Sequence, residues 1–96
     1  MSYSVAAKDE RPQVTLYTSS FCGKCRFARE FLNRLGIPFE EVPVYTPGVV
    51  EELLSRTGMM AAPTLRVGQD YVTGYDPGRF TLALIKNGWI EDKEDN

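Results

Sequence analysis

Apolar positions change rhythm along this chain, and each change marks a new element. Val14-Thr15-Leu16-Tyr17-Thr18 is a short β-branched and aromatic run between Pro12 and Ser19-Ser20. It has apolar groups on both faces, as a buried strand does. Ala28, Phe31, Leu32 and Leu35 then recur at helical spacing. Phe27 widens that stripe, while Arg26, Arg29, Glu30 and Arg34 fall mostly away from it. Gly36 is a natural C-terminal cap, with Pro38 shortly after. Ile37 to Val44 reads as a second strand, placed at a sheet edge because Pro43 cannot donate a ladder hydrogen bond. Thr46-Pro47 is the expected start of a second helix, with Glu51 and Glu52 in its first turns and Val50, Leu53 and Leu54 facing inward; Gly58 closes it. Thr64 to Val67 and Tyr71 to Thr73, joined by Gly68-Gln69-Asp70, predict an antiparallel hairpin. A last helix starts at Asp76-Pro77, buries Phe80, Ala83 and Leu84, and stops at Asn87-Gly88. The order is β-α-β-α-β-β-α, an α/β fold whose first two strands should run parallel through a right-handed crossover.

The periodic part spans residues 13–90 and is one domain. Residues 1–12 read as a flexible N-terminal extension without the apolar stretch of a secretory leader, and 91–96 as an acidic tail. No stretch approaches the length of a membrane helix. With 11 basic against 13 acidic residues the net charge is −2, which argues against nucleic-acid binding. There is no histidine. That absence removes Ser-His-Asp and Cys-His nucleophile activation, the HExxH zinc site and two-His metal sites.

The two cysteines, Cys22 and Cys25, are separated by Gly23 and Lys24. A bridge closing so small a loop constrains the unfolded chain very little, so chemistry explains the pair better than stabilisation does. They lie where the first strand gives way to the first helix. Backbone N–H groups and the positive end of the helix dipole favour an anion there, and Lys24 and Arg26 add cationic charge. Cys22 is expected to be the low-pKa nucleophile. Cys25 points toward the apolar stripe and is expected to be the buried, resolving thiol.

With the motif, the element order and the proline before the third strand, the chain resembles glutaredoxin-like proteins of the thioredoxin-fold superfamily over about Val14 to Lys86. The matching segments are Leu16-Tyr17-Thr18, the CxxC followed by Arg26, and Gly36-Ile37-Pro38-Phe39-Glu40-Glu41-Val42. To these add Ala62-Pro63-Thr64 and Gly74-Tyr75-Asp76. The resemblance implies a four-stranded mixed sheet flanked by three helices, with Pro63 as a cis-proline beside the dithiol. Ala62 would then pair with an extended substrate segment. Phe21, Met60, Ala62, Pro63, Gly74, Tyr75 and Asp76 would form the substrate-binding surface.

The chain departs from glutathione-using members at Ser19, where they have a lysine, and at Met59 and Met60, where they have cationic or amide side chains. Asp76 is open to two readings, a contact for the glutathione amino group or a plain helix cap. Phe21, Met59, Met60 and Tyr75 would instead supply an apolar, adaptable rim. Tyr75 and Pro77 match redoxins that serve ribonucleotide reductase and are recycled by thioredoxin reductase.

The expectation is therefore a monomeric cytoplasmic thiol–disulfide oxidoreductase, acting in electron transport and cell redox homeostasis. It would reduce protein or glutathione-mixed disulfides, with Cys22 attacking and Cys25 resolving, and with no bound cofactor or metal. Electrons would come from glutathione as co-substrate or from thioredoxin reductase. Two alternatives stand beside it: an iron–sulfur or metal carrier sharing Cys22 ligands across a dimer, and a non-catalytic docking module on the same fold.

Overall fold

The computed structural model describes residues 11–91, so most of the expected N-terminal extension and acidic tail lie outside the described residues. Seven elements follow in the expected order: β1 (Val14–Thr18), α1 (Gly23–Leu35), β2 (Glu40–Pro43), α2 (Val49–Thr57), β3 (Thr64–Val67), β4 (Asp70–Thr73) and α3 (Pro77–Lys86). The sheet order is β2-β1-β3-β4. β1 pairs parallel with β2, and β3 pairs antiparallel with both β1 and β4. β1 is therefore central, which explains why its residues are apolar on both faces.

Strand alternation divides the interior in two. Val14, Leu16, Leu65, Val67 and Val72 meet Ala28 and Leu32 of α1 and Phe80 and Leu84 of α3 on one face. On the other, Tyr17 packs with Val44, Val49 and Leu53 beneath α2. Gly36 caps α1 in the left-handed region at φ 73°. Asp76 caps α3 by accepting the Arg79 N–H at 3.1 Å, with Pro77 at the first helical positions.

Four sequence expectations shift. The second strand is confined to Glu40–Pro43 rather than Ile37 to Val44, and it does lie at an edge. α2 is capped by Gly48, not Thr46: Gly48 sits at φ 92°, which no helical residue adopts, and Thr46 instead accepts a turn hydrogen bond from the Val49 N–H at 2.9 Å. The later start turns the helix, so Val49 and Leu53 are buried while Leu54 is half exposed. On α1, Cys25, Ala28 and Leu32 form the buried line, and Phe27 and Leu35 lie half exposed at its margins. Finally, Arg11 and Pro12 are docked. The Arg11 guanidinium stacks over Trp89 at 4.1 Å, and the Trp89 indole N–H donates to the Pro12 carbonyl at 2.8 Å.

One polar cluster was not legible in the sequence. Oε2 of Glu52, on α2, accepts from the Tyr17 hydroxyl at 2.7 Å, the Tyr71 hydroxyl at 2.5 Å and the Arg66 guanidinium at 2.8 Å. It fastens α2 to three strands at once. Burial pushes the Glu52 carboxyl up, but the tyrosine hydrogen bonds and the Arg66 charge outweigh it and leave the carboxyl below its ordinary value. Tyr71 is pushed up to about 12 by burial and by its bond to Glu52.

A Glu52→Gln variant should lose about 2 kcal/mol of stability in urea unfolding at neutral pH. A carboxyl held low in the folded state contributes stability above its unfolded value of about 4.3 and loses it as pH falls through the folded value. The difference between wild type and Glu52→Gln should therefore narrow as the pH is lowered below about 4. A gap that persists unchanged into acid would show that the charge of Glu52 does not hold this cluster.

Candidate active site

The chain leaves β1 at Thr18 and climbs through Ser19, Ser20 and Phe21 to the first turn of α1. Phe21 is the one non-glycine residue at positive φ (56°) among the described residues, and its side chain is fully exposed. Cys22 follows in extended conformation as the N-cap of α1. Its sulfur accepts the Cys25 backbone N–H at 3.1 Å, so it occupies the place that a serine or aspartate oxygen takes in an ordinary cap. Cys22 and Cys25 are joined as a disulfide with Cα atoms 5.2 Å apart, inside the range that bridging requires. Cys22 is partly accessible, whereas Cys25 is 1% exposed on the buried line of α1.

Lys24 is exposed. Arg26 faces solvent and pairs with Glu30 at 3.7 Å, with both side chains more than half exposed. Such pairs are screened and worth little. Arg29 does more. It donates to both oxygens of Glu41 at 2.9 and 2.7 Å, and Glu41 also accepts from the Thr18 hydroxyl at 3.1 Å. The Arg29 bonds hold the Glu41 carboxyl below its usual range. This clamp ties the middle of α1 to β2 and to the end of β1.

A second segment closes on the sulfur. The Cys22 Sγ lies 3.7 Å from the Ala62 carbonyl oxygen, and the Ala62–Pro63 peptide bond is cis. The Thr64 hydroxyl donates to the Ala61 carbonyl at 2.7 Å, and the Gly74 N–H donates to the Pro63 carbonyl at 2.7 Å. Ala62, Pro63 and Gly74 are thereby linked beside Cys22. Met59 and Met60 precede them, each about half exposed, and the Thr57 hydroxyl holds the backbone of Met59.

Tyr75 belongs as much to the interior as to the rim. Its ring centroid lies 6.0 Å from Phe27, 6.4 Å from Phe31 and 5.7 Å from Phe80. Asp76 serves as the cap of α3. No group of three or more His, Cys, Asp or Glu side chains is arranged to hold a metal ion among the described residues.

This geometry has relatives. The glutaredoxin family model matches residues 14–72, more than half of the chain. The chain belongs to the glutaredoxin family. It is 32% identical over 66 residues to a glutaredoxin of Pseudomonas aeruginosa, covering 68% of this chain and 79% of that one. It is 28% identical over 64 residues to glutaredoxin 3 of Escherichia coli, covering 66% and 77%. Among solved structures, a glutaredoxin of Archaeoglobus fulgidus superimposes with a TM-score of 0.67 at 27% identity, over 79% of this chain and 89% of that one. Membership and the CxxC pair together make this glutaredoxin a thiol–disulfide oxidoreductase of the thioredoxin fold.

In the reduced protein, iodoacetamide should modify Cys22 well before Cys25, with a midpoint clearly below the ordinary thiol value of about 8.5. Mass spectrometry of the labelled chain across pH reads both. A midpoint above about 8, or preferential labelling of Cys25, would contradict the helix-start account of the sulfur.

Proposed function

We propose that this glutaredoxin reduces protein disulfides by a dithiol mechanism. The reading is carried by one observation: an accessible sulfur caps α1 directly above a buried partner within bonding reach. In the reduced enzyme the Cys22 thiolate attacks one sulfur of the substrate disulfide. A Cys22–substrate bond forms, and the other substrate sulfur leaves as a thiolate that takes a proton. The Cys25 thiol then loses its proton and attacks the Cys22 sulfur, releasing the second substrate thiol and leaving the Cys22–Cys25 disulfide. Two electrons and two protons pass to the substrate. Lys24 and Arg26 add a modest cationic field to the stabilisation of the thiolate.

Phe21, Met60, Ala62, Pro63, Gly74, Tyr75 and Asp76 border the sulfur on this reading. The Ala62 backbone offers a substrate chain an extended edge, and Phe21 with the methionines offers apolar contact. Ser19, Met59 and Met60 leave little cationic charge to hold a small anionic thiol. Those features favour protein substrates and recharging by a flavoprotein reductase of the thioredoxin reductase type. Glutathione as donor is the second reading. It is favoured by the family and by Gly74 and Asp76, whose second carboxylate oxygen is left over from capping α3. Neither route requires a resident cofactor. The protein would work as a monomer in the cytoplasm, where reductants keep the dithiol supplied.

A coupled assay with NADPH and a protein disulfide separates the donors: thioredoxin reductase alone in one arm, glutathione with its reductase in the other. Turnover with thioredoxin reductase alone is the expected outcome, and turnover only with glutathione would reverse the choice. Cys22→Ser should abolish reduction of a protein disulfide, whereas Cys25→Ser should accumulate the mixed disulfide. Full reductase activity in Cys22→Ser would eliminate the mechanism, and no reductase activity in the wild type with either donor would leave the docking-module alternative.

A further inference from the structure

The sheet has two free edges of opposite character. On β2 the edge carries Glu40 and Glu41 and is interrupted by Pro43, a combination that discourages strand pairing. β4 carries no such guard. The Gly74 N–H bonds to the Pro63 carbonyl, and β3 and β4 are joined by only two residues, with Leu65 opposite Val72 and Thr64 opposite Thr73. Antiparallel pairing alternates, so Asp70 and Val72 turn their backbone groups toward β3, and Tyr71 and Thr73 turn theirs outward. Nothing among the described residues pairs with those outward groups.

Two arginines flank this edge. Arg56, from α2, is held by a 2.6 Å bond to Gln69 and lies 5.3 Å over the Tyr71 ring. Arg79, from α3, is exposed, and its side chain has no acidic partner within bonding distance among the described residues. Both line a small polar recess with Tyr71 and Thr73. Asp70, the acidic group there, is already engaged by Lys86 at 3.1 Å and Asn87 at 2.9 Å. The recess is therefore cationic in a protein of net charge −2. It also runs into the active site, because Thr73 leads directly to Gly74, which is bonded to Pro63 beside the Cys22 sulfur.

We infer that the β4 edge is a docking strand for an extended acidic segment of a protein partner. Its backbone pairs with the outward groups of Tyr71 and Thr73, and its carboxylates meet Arg56 and Arg79. Backbone hydrogen bonds supply the attachment and the arginines supply the sign. At β2 the same segment meets the Glu40 carboxylate and an edge broken by Pro43, Glu41 being paired with Arg29, so one edge is selected. The inference stands independently of which thiol attacks, since it requires only the sheet edge and its two cations.

The test is an amide-shift titration of the full-length oxidised protein by NMR, with the peptide acetyl-Val-Glu-Val-Glu-Val-amide as probe and its lysine counterpart as control. Neither peptide contains cysteine, so the outcome is unaffected by failure of the proposed chemistry. Saturable shifts centred on Tyr71 and Thr73, absent with the lysine peptide and weakened severalfold by about 0.5 M salt, are expected. Arg79→Glu, a change at an exposed helix position, should weaken binding about three- to tenfold, and Arg56→Ala with Arg79→Ala at least as much. Binding at Glu40–Pro43, equal binding of both peptides, an unaltered affinity in Arg79→Glu, or no shift at all would overturn the proposal. So would shifts at both edges that grow with protein concentration alone, which would identify a second copy of the chain as the occupant.

Discussion

Everything chemical in this protein depends on where a helix begins. At Cys22 the chain has left β1 and its sulfur takes the capping bond from the Cys25 N–H at 3.1 Å. Lowering a thiol from about 8.5 to about 7 requires about 2 kcal/mol of preferential stabilisation of the anion. A charge-assisted hydrogen bond contributes about 1.5–3 kcal/mol and the end of a helix dipole about 0.3–1 kcal/mol, so the backbone alone reaches the required size. The exposed Lys24 and the solvent-facing Arg26–Glu30 pair are not needed for it. A protein without histidine can thus activate a cysteine, provided the helix start is held still. The Arg29–Glu41–Thr18 clamp, about two turns further along, holds the same helix to the sheet from the side.

Unequal burial then orders the two sulfurs. Cys22 is the extended N-cap just outside α1, whereas Cys25 lies inside the helix on the side packed against the sheet, so the two sulfurs come close but meet different surroundings. Cys25 shares the buried line with Ala28 and Leu32, and Cys22 stays at the open end. Attack from outside reaches only one sulfur, and the second is within range of the first. On the proposed dithiol mechanism, the direction of the reaction sequence would therefore follow from packing α1 against the sheet.

How much of this the sequence revealed varies with the range of the interaction. β1, the Gly36 cap, the Asp76-Pro77 start and the hairpin were legible because each is set by residues within a few positions of one another. The Thr46 cap misled for the same local reason: Thr-Pro is a good helix start, but Gly48, two residues later, adopts a φ of 92° that delays the helix. Glu52 was read as a first-turn acid complementing a dipole. Its partners are Tyr17, Arg66 and Tyr71, which come together only once the strand order β2-β1-β3-β4 is known. The active site divides in the same way. The CxxC pair is local, but the placement of Ala62 against Cys22 depends on contacts across 40 positions, and only family resemblance anticipated it. Tyr75 looked like rim; the aromatic column from Phe27 through Phe80 draws it half inside.

Phe21 is the residue that burial and backbone energetics leave unexplained within the monomer. A bulky residue at φ 56° costs on the order of 1 kcal/mol, and this one packs against nothing, being fully exposed. Neither the strain nor the exposed ring is recovered by the folded chain itself. Burial of a phenylalanine side chain against a partner would contribute about 1.5–3 kcal/mol, a factor of roughly 10 to 100 in affinity. A tripeptide thiol has too little surface to cover this ring together with Met59 and Met60, whereas a folded protein does. The position also matters. Adjacent to Cys22, the ring would engage before or as the sulfurs meet, so the binding energy falls where it can orient the disulfide. On the proposed mechanism, the same reasoning would suit a rim of apolar side chains, rather than charges, to a sulfur ionised by its own helix. A strong cationic rim would stabilise the thiolate further and make it a weaker nucleophile.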